Sequence, residues 1–593
     1  MDQPEGGLQW SNTHNSHFKP DKLQLVDFTR KRTPTGQTGQ CTTPITRPPL
    51  TLGTREIAPS SSYKYLGVIL DQELRFREHA AYALARGTKW TLQFCRLSKP
   101  KVGMLPRYAR QLYKAVAVPK MLYAADIFLT PMQTQQGDRR LKGSVGIIKR
   151  LARVQRMAAL HITGAMRTTA NDVLDAHADL LPFQFLVNQI CYRATLRLSM
   201  LLDTHPLFKH VRKAKRYVKW HQALLHELLH AFRINPEEIE TVSASRYVPG
   251  KERRVEVRIA ADKDGAYREG TESRAGTKIF TDGSDIDGGV GAAAILFKDG
   301  QRRGTLRAYL GATASHTVYE AELVGILLAT HLIKTEGCSQ ETEICTDSQA
   351  AISALNLDRP APSHYLVDKA CRALKKVRLE HPAVELLVRW IPGHMGIEGN
   401  ELADLDAKKA AAQDASPPHA LPTSLRTPLP TSSSASKREH IETIKREAAA
   451  YLAQSKRYPR LHALDATAPS ARFRKLTAKL SRRQASLLVQ LRTGHIPLNH
   501  HLARIGATET PTCPACHERE ETVHHYLMVC PAYATQRRAL RDVLSRDAHS
   551  ISQLLAHPKA MKPLFRYISA TGGLRPTFGD LSTDRQRGQE PTP

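Results

Sequence analysis

The sequence predicts an α/β domain with a mixed sheet and flanking helices over residues 277–412, set between two mainly helical, basic regions, the second of which carries a cysteine–histidine cluster. Three observations lead to this. Between Lys278 and Trp390, apolar runs of strand length alternate with segments of helical period. The charge is uneven: residues 277–412 hold 15 Lys/Arg against 18 Asp/Glu, whereas residues 1–276 have a net charge of +20 and residues 413–593 one of +13, in a chain of net +30. Finally, three of the nine cysteines, Cys513, Cys516 and Cys530, lie close together while the others are scattered.

A chain of 593 residues is too long for one core and implies three or four domains. Its charge points to a polyanionic partner, either nucleic acid or an anionic membrane. The membrane is the poorer choice, because the longest apolar run, around Leu323 to Leu328, is far short of a spanning helix. Met1-Asp2-Gln3-Pro4-Glu5 begins neither a signal nor a transit peptide. The expectation is an intracellular protein, not secreted, in nucleus or cytoplasm. Scattered cysteines argue against a disulfide framework and for a reducing compartment.

Residues 1–60, rich in Pro, Thr and Gln, are expected to be poorly ordered with only local structure. A mainly helical region, 61–239, follows: Lys64 to Asp71 reads as a short strand, and from about Phe76 to Leu201 apolar residues recur at intervals of three and four. The polar, charged segment 240–276 reads as a linker. Strands are expected at Lys278–Asp282, Val290–Phe297 and Arg302–Leu310, the last two joined by a hairpin at Asp299-Gly300. Thr317 and Glu320 form a capping-box pattern opening a helix with Leu323, Ile326, Leu327 and Thr330 inward, ended by Gly337. The strand Glu343–Asp347, helices from Gln349 and near Tyr365 to Leu379, and the strand Ala383–Trp390 come next. A glycine-studded loop with His394 then leads to a helix capped by Asn400. Residues 413–437, with Pro417-Pro418 and Ser432-Ser433-Ser434, read as a flexible linker, 438–555 as a second basic helical domain, and 556–593 as a disordered tail.

Four carboxylates stand out in the acidic domain. Asp282 and Asp347 end strands, Glu322 lies in the first helix and Asp404 in the last. Strand ends at the switch point of an α/β sheet converge on one crevice, so the four can meet. Together they would repel and raise one another's pKa values, a conflict that Mg²⁺ or Mn²⁺ removes; two such ions activate a water and stabilise the leaving oxygen of a phosphodiester. A calcium loop starting at Asp285 fails, since its fifth and twelfth positions are Gly289 and Leu296.

Thr281-Asp282-Gly283-Ser284, Tyr319-Glu320-Ala321-Glu322-Leu323, Thr346-Asp347-Ser348-Gln349, and Pro392-Gly393-His394 with Gly399 to Asp404 resemble, in order, the four blocks of a type 1 ribonuclease H domain. The resemblance implies that Asp282, Glu322, Asp347 and Asp404 bind two Mg²⁺ or Mn²⁺ ions and that His394, on a mobile loop, assists proton transfer or product release. It selects Glu322 over Glu320, because the family's Glu immediately precedes the Leu. The implied reaction is hydrolysis of the RNA strand of an RNA–DNA hybrid, and the implied partner is that hybrid, with other nucleic acid bound through the basic flanks.

The flanks carry a second resemblance. Asn15-Ser16-His17-Phe18, Tyr65-Leu66-Gly67-Val68, Pro119-Lys120-Met121-Leu122-Tyr123 and Ile162-Thr163-Gly164-Ala165 are similar to the region after the polymerase centre of non-LTR, LINE-type retrotransposon reverse transcriptases. That reading makes 61–239 a reverse-transcriptase remnant. No Asp-Asp pair occurs in the sequence, and in Tyr123-Ala124-Ala125-Asp126 the second Asp of a polymerase turn is replaced by Ile127, so no DNA synthesis is expected from this chain alone. A polymerase acting in trans is a partner this reading allows. Near the other end, Cys513, Cys516, His525 and Cys530 are spaced C-x2-C-x8-H-x4-C, which suits a closed, structural tetrahedral Zn²⁺ site, with His517 and His524 as competing ligands. The surrounding Gln490 to His495 and Glu521-Thr522-Val523 resemble the zinc-binding tail after ribonuclease H in such elements. The rival to an active enzyme is a decayed nucleic-acid-binding remnant that keeps the motif residues without a productive fold.

Overall fold

Strand registers explain where the acidic residues go. In the computed structural model, which describes residues 6–581 except 17, 20–21, 36–40, 46, 53–54, 135–140, 217–222, 244–254, 358 and 470, the chain forms two compact units. One comprises residues 192–445, and the other joins residues 1–191 to 446–593.

The first unit is built on a six-stranded mixed sheet. Its elements in chain order are β1 (Val257–Arg258), α1 (Lys263–Glu272), β2 (Thr277–Ile286), β3 (Gly289–Lys298), β4 (Gln301–Ala312), α2 (Val318–Glu336), β5 (Glu341–Thr346), α3 (Gln349–Ala354), α4 (His364–Glu380), β6 (Glu385–Trp390) and α5 (Glu398–Ala411). The strands lie in the order β4-β3-β2-β5-β6-β1. The β2–β3 and β3–β4 pairs are antiparallel, and β2–β5, β5–β6 and β6–β1 are parallel. Successive residues face opposite sides, and both sides are covered. Ile279, Ala292, Ala294 and Ile344 pack with α2 and α4, whereas Phe280, Ile295 and Cys345 pack with Ala403 of α5. A sheet buried on both faces needs apolar residues at consecutive positions, which is the run of small and branched side chains seen in β3.

The capping box at the head of α2 forms as expected: Thr317 Oγ1 accepts from the Glu320 N–H and the Glu320 carboxylate accepts from the Thr317 N–H. The helix at the far end differs from expectation. It begins at Glu398 rather than after Asn400, whose side chain is buried in the first turn. The chain turns into helix at Ile397, whose carbonyl already accepts from the Asn400 and Glu401 N–H groups.

Two segments expected as linkers are structured. In 240–276, Val257 of β1 pairs beside Val388, Ala266 of α1 is buried, and Glu269 accepts from Arg389 at 3.0 Å. The segment looks like a linker by composition, yet its few apolar residues and one carboxylate all find partners. In 413–437, Ser416 exchanges hydrogen bonds with the backbone of Arg307 on outer strand β4, and Leu421 is buried in the main core. Residues 244–254 lie outside the described residues.

Arg389 lies on a buried strand position and grips Glu343 through two bonds, 2.5 Å to Oε1 and 3.2 Å to Oε2. Removing the cation alone would leave a buried, uncompensated carboxylate, which typically costs about 3–5 kcal/mol. Arg389→Met is therefore expected to destabilise this unit strongly in urea, and Arg389→Met/Glu343→Leu to recover most of the loss. Equal midpoints for the single and double variants would refute this.

The second unit replaces two of the expected domains. Helix Arg482–Thr493, from the C-terminal region, is packed among helices of the N-terminal region. Buried Arg482 donates to the carbonyls of Ile162 at 2.7 Å and Lys99 at 3.2 Å, and also to that of His161; Gln490 donates to Gly164 at 2.9 Å. Arg492 donates to His177 Nε2 and to the Leu555 carbonyl while stacking on Phe473. Residues 61–191 and 446–581 therefore share one packed unit, and 192–239 belongs to the other. The expected disordered tail is also corrected: helix Met561–Thr571 buries Leu564, Phe565 and Ile568, and Tyr567 donates to the Tyr526 carbonyl at 2.6 Å. Residues 582–593 lie outside the described residues, as do parts of 1–60.

Candidate active site

Thr281 of β2 pairs in parallel with Thr346 of β5, and Thr346 pairs with Trp390 of β6. The next residues, Asp282, Asp347 and Ile391, therefore lie where strands β5 and β6 end; β2 itself continues to Ile286 beside β3, so Asp282 is not the strand end expected from the sequence. Asp282 and Asp347 occupy equivalent positions and face the same side as Phe280 and Cys345, the side covered by α5. Helix α2 brings Glu322 up to the same strand end. It can do so because Gly283 lacks a side chain: a Cβ there would stand 2.7 Å from the Glu322 nitrogen. The result is that carboxylate oxygens of Asp282, Glu322 and Asp347 lie within 4.8 Å of one another.

Asp404, the fourth expected ligand, stands beside this trio rather than within it. Its Oδ2 accepts from Lys408 Nζ at 2.7 Å, one helical turn further on. His394 sits exposed on the loop after β6 with a left-handed φ of +58°. The loop passes close over Asp347, where a side chain on Gly393 would put its Cβ 2.5 Å from Oδ2. Three neighbours were not marked by sequence reasoning. Trp390 Nε1 donates to the Asp347 carbonyl at 3.1 Å, Thr346 Oγ1 reaches Glu322 at 3.4 Å, and Lys408 holds Asp404. Lys408 left a signal in its i+4 spacing from Asp404, and Thr346 stands in the block Thr346-Asp347-Ser348-Gln349 without a role of its own being assigned to it.

The electrostatics follow from burial and like charge. Burial, then the charges of Asp282 and Asp347, drives Glu322 well above the usual carboxylate range, against the opposing hydrogen bonds from Gly283 and Thr346. Burial, then Asp347 and Asp404, pushes Asp282 up to about 7, although Gly283 N–H donates to its Oδ1 at 2.8 Å. Asp347 is raised by burial and by Asp404, with His394 pulling the other way. No lysine or arginine among the described residues makes an ion pair with any of the three. Oxygen donors gathered this way without a direct ion-pair partner among the described residues are the set a hard divalent cation takes.

At the other expected metal site, Cys513, Cys516, His525 and Cys530 offer ligand atoms within 4.8 Å of one another. Cys513 Sγ lies 3.9 Å from Cys530 Sγ, and Cys516 Sγ lies 3.4 Å from His525 Nε2. A tetrahedron with metal–sulfur bonds of about 2.3 Å has S···S edges of roughly 3.8 Å, so the sulfur spacing suits zinc. His525 is the histidine that faces the thiols, while His517 and His524 are exposed. Backbone N–H groups, first that of Glu518, pull the Cys516 thiol down, whereas burial pushes Cys530 up to about 11.

The six-stranded mixed sheet with three carboxylates gathered beside its parallel strands is an α/β domain whose acidic group could hold a cation. Residues 274–412 match the RNase H family, and the chain carries an RNase H domain there. Among solved structures, RNase H1 from the halophilic archaeon Halobacterium salinarum is similar at 17% identity, covering 23% of this chain and 98% of that one, with a TM-score of 0.19. LC11-RNase H1, solved in complex with an RNA/DNA hybrid, is similar at 18% identity over 23% and 98%, with a TM-score of 0.19. A Prototype Foamy Virus protease–reverse transcriptase is similar at 20% identity over 23% of this chain and 21% of that one, with a TM-score of 0.19. No curated protein matches the chain. No described helix is long and apolar enough to cross a membrane.

Proposed function

We propose that residues 274–412 are a type 1 ribonuclease H that cuts the RNA strand of RNA–DNA hybrids, in a retrotransposon-derived protein whose basic flanks bind nucleic acid. The observation that carries this reading is the approach of Asp282, Glu322 and Asp347 to within 4.8 Å without a cationic partner. These three and Asp404 would hold two Mg²⁺ or Mn²⁺ ions. When bound, the ions supply an activated water and charge stabilisation at the leaving oxygen. Asp282, between Glu322 and Asp347, keeps the site acidic only if deprotonated, so loading with cation and loss of its proton go together. Asp404 joins by releasing Lys408. His394, exposed over Asp347, moves a proton between the site and bulk water. Hydrolysis leaves a 3′-hydroxyl and a 5′-phosphate, and the 2′-hydroxyl distinguishes the strand to be cut.

Cys513, Cys516, His525 and Cys530 would hold a structural Zn²⁺, with no position open for water. The helical unit is read as the post-polymerase part of a LINE-type reverse transcriptase, without DNA synthesis of its own.

The test is cleavage of labelled RNA–DNA hybrid by the full chain with Mg²⁺ or Mn²⁺, beside single-stranded and duplex RNA. Hybrid-only cleavage is expected. Intact hybrid with a folded, metal-loaded protein would replace this reading by that of a decayed nucleic-acid-binding remnant.

A further inference from the structure

The helical unit contains an unbalanced charge cluster opposite in sign to the acidic crevice. Helix Asn499–Arg504 ends on Arg504, whose Nη2 donates to His495 Nε2 at 3.3 Å and to His501 Nδ1 at 2.9 Å. A guanidinium has no acceptor, so those two ring nitrogens are unprotonated and each imidazole carries its proton on the other nitrogen. The other nitrogens, His495 Nδ1 and His501 Nε2, face Thr168 Oγ1 at 2.7 Å and 3.2 Å. The hydroxyl therefore accepts two N–H bonds, and its own proton is left to donate outward from an exposed position.

Two more arginines close on the same place. Arg460 lies against Gly494, where an added Cβ would stand 2.6 Å from its Nη2. Arg457, Arg460, Arg504 and His501 all act on His495, and together with burial, the largest cause, they bring its pKa down to about 4. The charges that act most on His495 are all basic, and among the described residues neither Arg460 nor Arg504 has an acidic partner, while Arg457 pairs with Asp172 at 3.7 Å.

Arg460 and Arg504, which act on one another without an acidic partner among the described residues, repel, and an anion relieves the repulsion. Planar N–H forks and an outward hydroxyl match the oxygens of a phosphate, which arginine takes in bidentate fashion. We propose that Arg457, Arg460, Arg504 and Thr168 form a phosphate-binding site, filled by a phosphodiester of a nucleic-acid strand or by free phosphate. The site is independent of the ribonuclease reading, since an all-DNA strand without divalent cation suffices to test it.

The experiment measures binding of a fluorescent oligo(dT) strand to the full chain across a salt series, without added divalent cation, beside calorimetric titration with inorganic phosphate. The variants are Arg457→Gln/Arg460→Gln, the milder Thr168→Val in case the first fails to fold, and Arg538→Gln/Arg541→Gln as a charge-matched control elsewhere. A phosphodiester ligand predicts affinity for the strand falling about tenfold in the site variant at low salt. The slope of log K against log salt should shrink by about 1.4, at roughly 0.7 per phosphate contact on a single strand, with little change in the control. Unchanged strand binding with loss of phosphate heat in the variant assigns the site to free phosphate. If site and control variants match wild type in both titrations, the proposal is overturned.

Discussion

Asp282→Asn is expected to abolish hybrid cleavage while making the metal-free protein more stable. The two effects share one cause. Asp282 is buried beside Glu322, Asp347 and Asp404, and its pKa is raised from 3.8 to about 7. A carboxyl whose folded pKa lies above its unfolded value binds its proton more tightly in the fold. Its penalty is therefore absent below about pH 4, grows as pH rises and is complete above about pH 7. Asparagine removes the charge without changing the shape. Allowing for water entry and for the neighbours' own titration, the gain at pH 8 is on the order of 2 kcal/mol, or about 5 °C. Lost metal ligation should lower the cleavage rate by about three orders of magnitude. Thermal unfolding in chelator at pH 5 and pH 8, alongside hybrid cleavage, checks both. The wild type should gain on the variant at pH 5. A variant less stable than wild type at pH 8 would refute the electrostatic account, and one that still cleaves would remove Asp282 from the site.

The second large effect is expected at the cysteine cluster. Purified chain should contain one zinc, and Cys513→Ser should lose it. Cys513 and Cys530 are fully buried, and the turn they close carries much else. Arg537 donates to the carbonyls of Leu527 and Cys530, Tyr526 meets Thr571, and Tyr567 meets Tyr526. Structural zinc is worth on the order of 10 kcal/mol in isolated fingers, so its loss should open residues from about Asn499 to Leu581 to protease. Unit 192–445 should stay intact, being closed by its own sheet. A zinc-free variant with the wild-type digestion pattern would show that the four side chains do not hold the fold together.

How much of this the sequence reveals depends on the range of the interactions. The strands β3 and β4, the Thr317–Glu320 cap and the strand-end position of Asp347 are local patterns legible in the sequence, whereas β2 runs four residues past Asp282, the expected strand end, because Gly283 to Ile286 go on pairing with β3. The convergence of Asp282, Glu322 and Asp347 followed from topology plus four matching blocks. Asp404, expected as the fourth ligand, is instead paired with Lys408 beside the trio, a contact between two half-buried helix positions that the sequence offers only as an i+4 spacing. Linker composition misled at 240–276 and 413–437, because Val257, Ala266 and Leu421 are few yet well placed, and Arg389–Glu269 joins residues far apart. Asn400 is a residue type that favours caps, but the backbone had already turned at Ile397. The placement of Arg482 among N-terminal carbonyls is a long-range matter that periodicity does not encode. The division of the chain is not legible in the sequence for a related reason: its boundaries fall inside the helices Phe183–Ser199 and Ser433–Ala453, where composition has nothing to mark.

Arg482 and its carbonyl partners have a bearing on how the protein is made. Its contact with Ser98 spans 384 residues of chain. A ribosome delivers the N-terminal helices first, then the whole α/β sheet, and only afterwards the helix that the first segment needs. The carbonyls of Ser98, Lys99, His161 and Ile162 must therefore wait in water while the intervening sheet closes. Nascent chains stopped before residue 482 would contain a complete α/β sheet domain attached to an incomplete helical one.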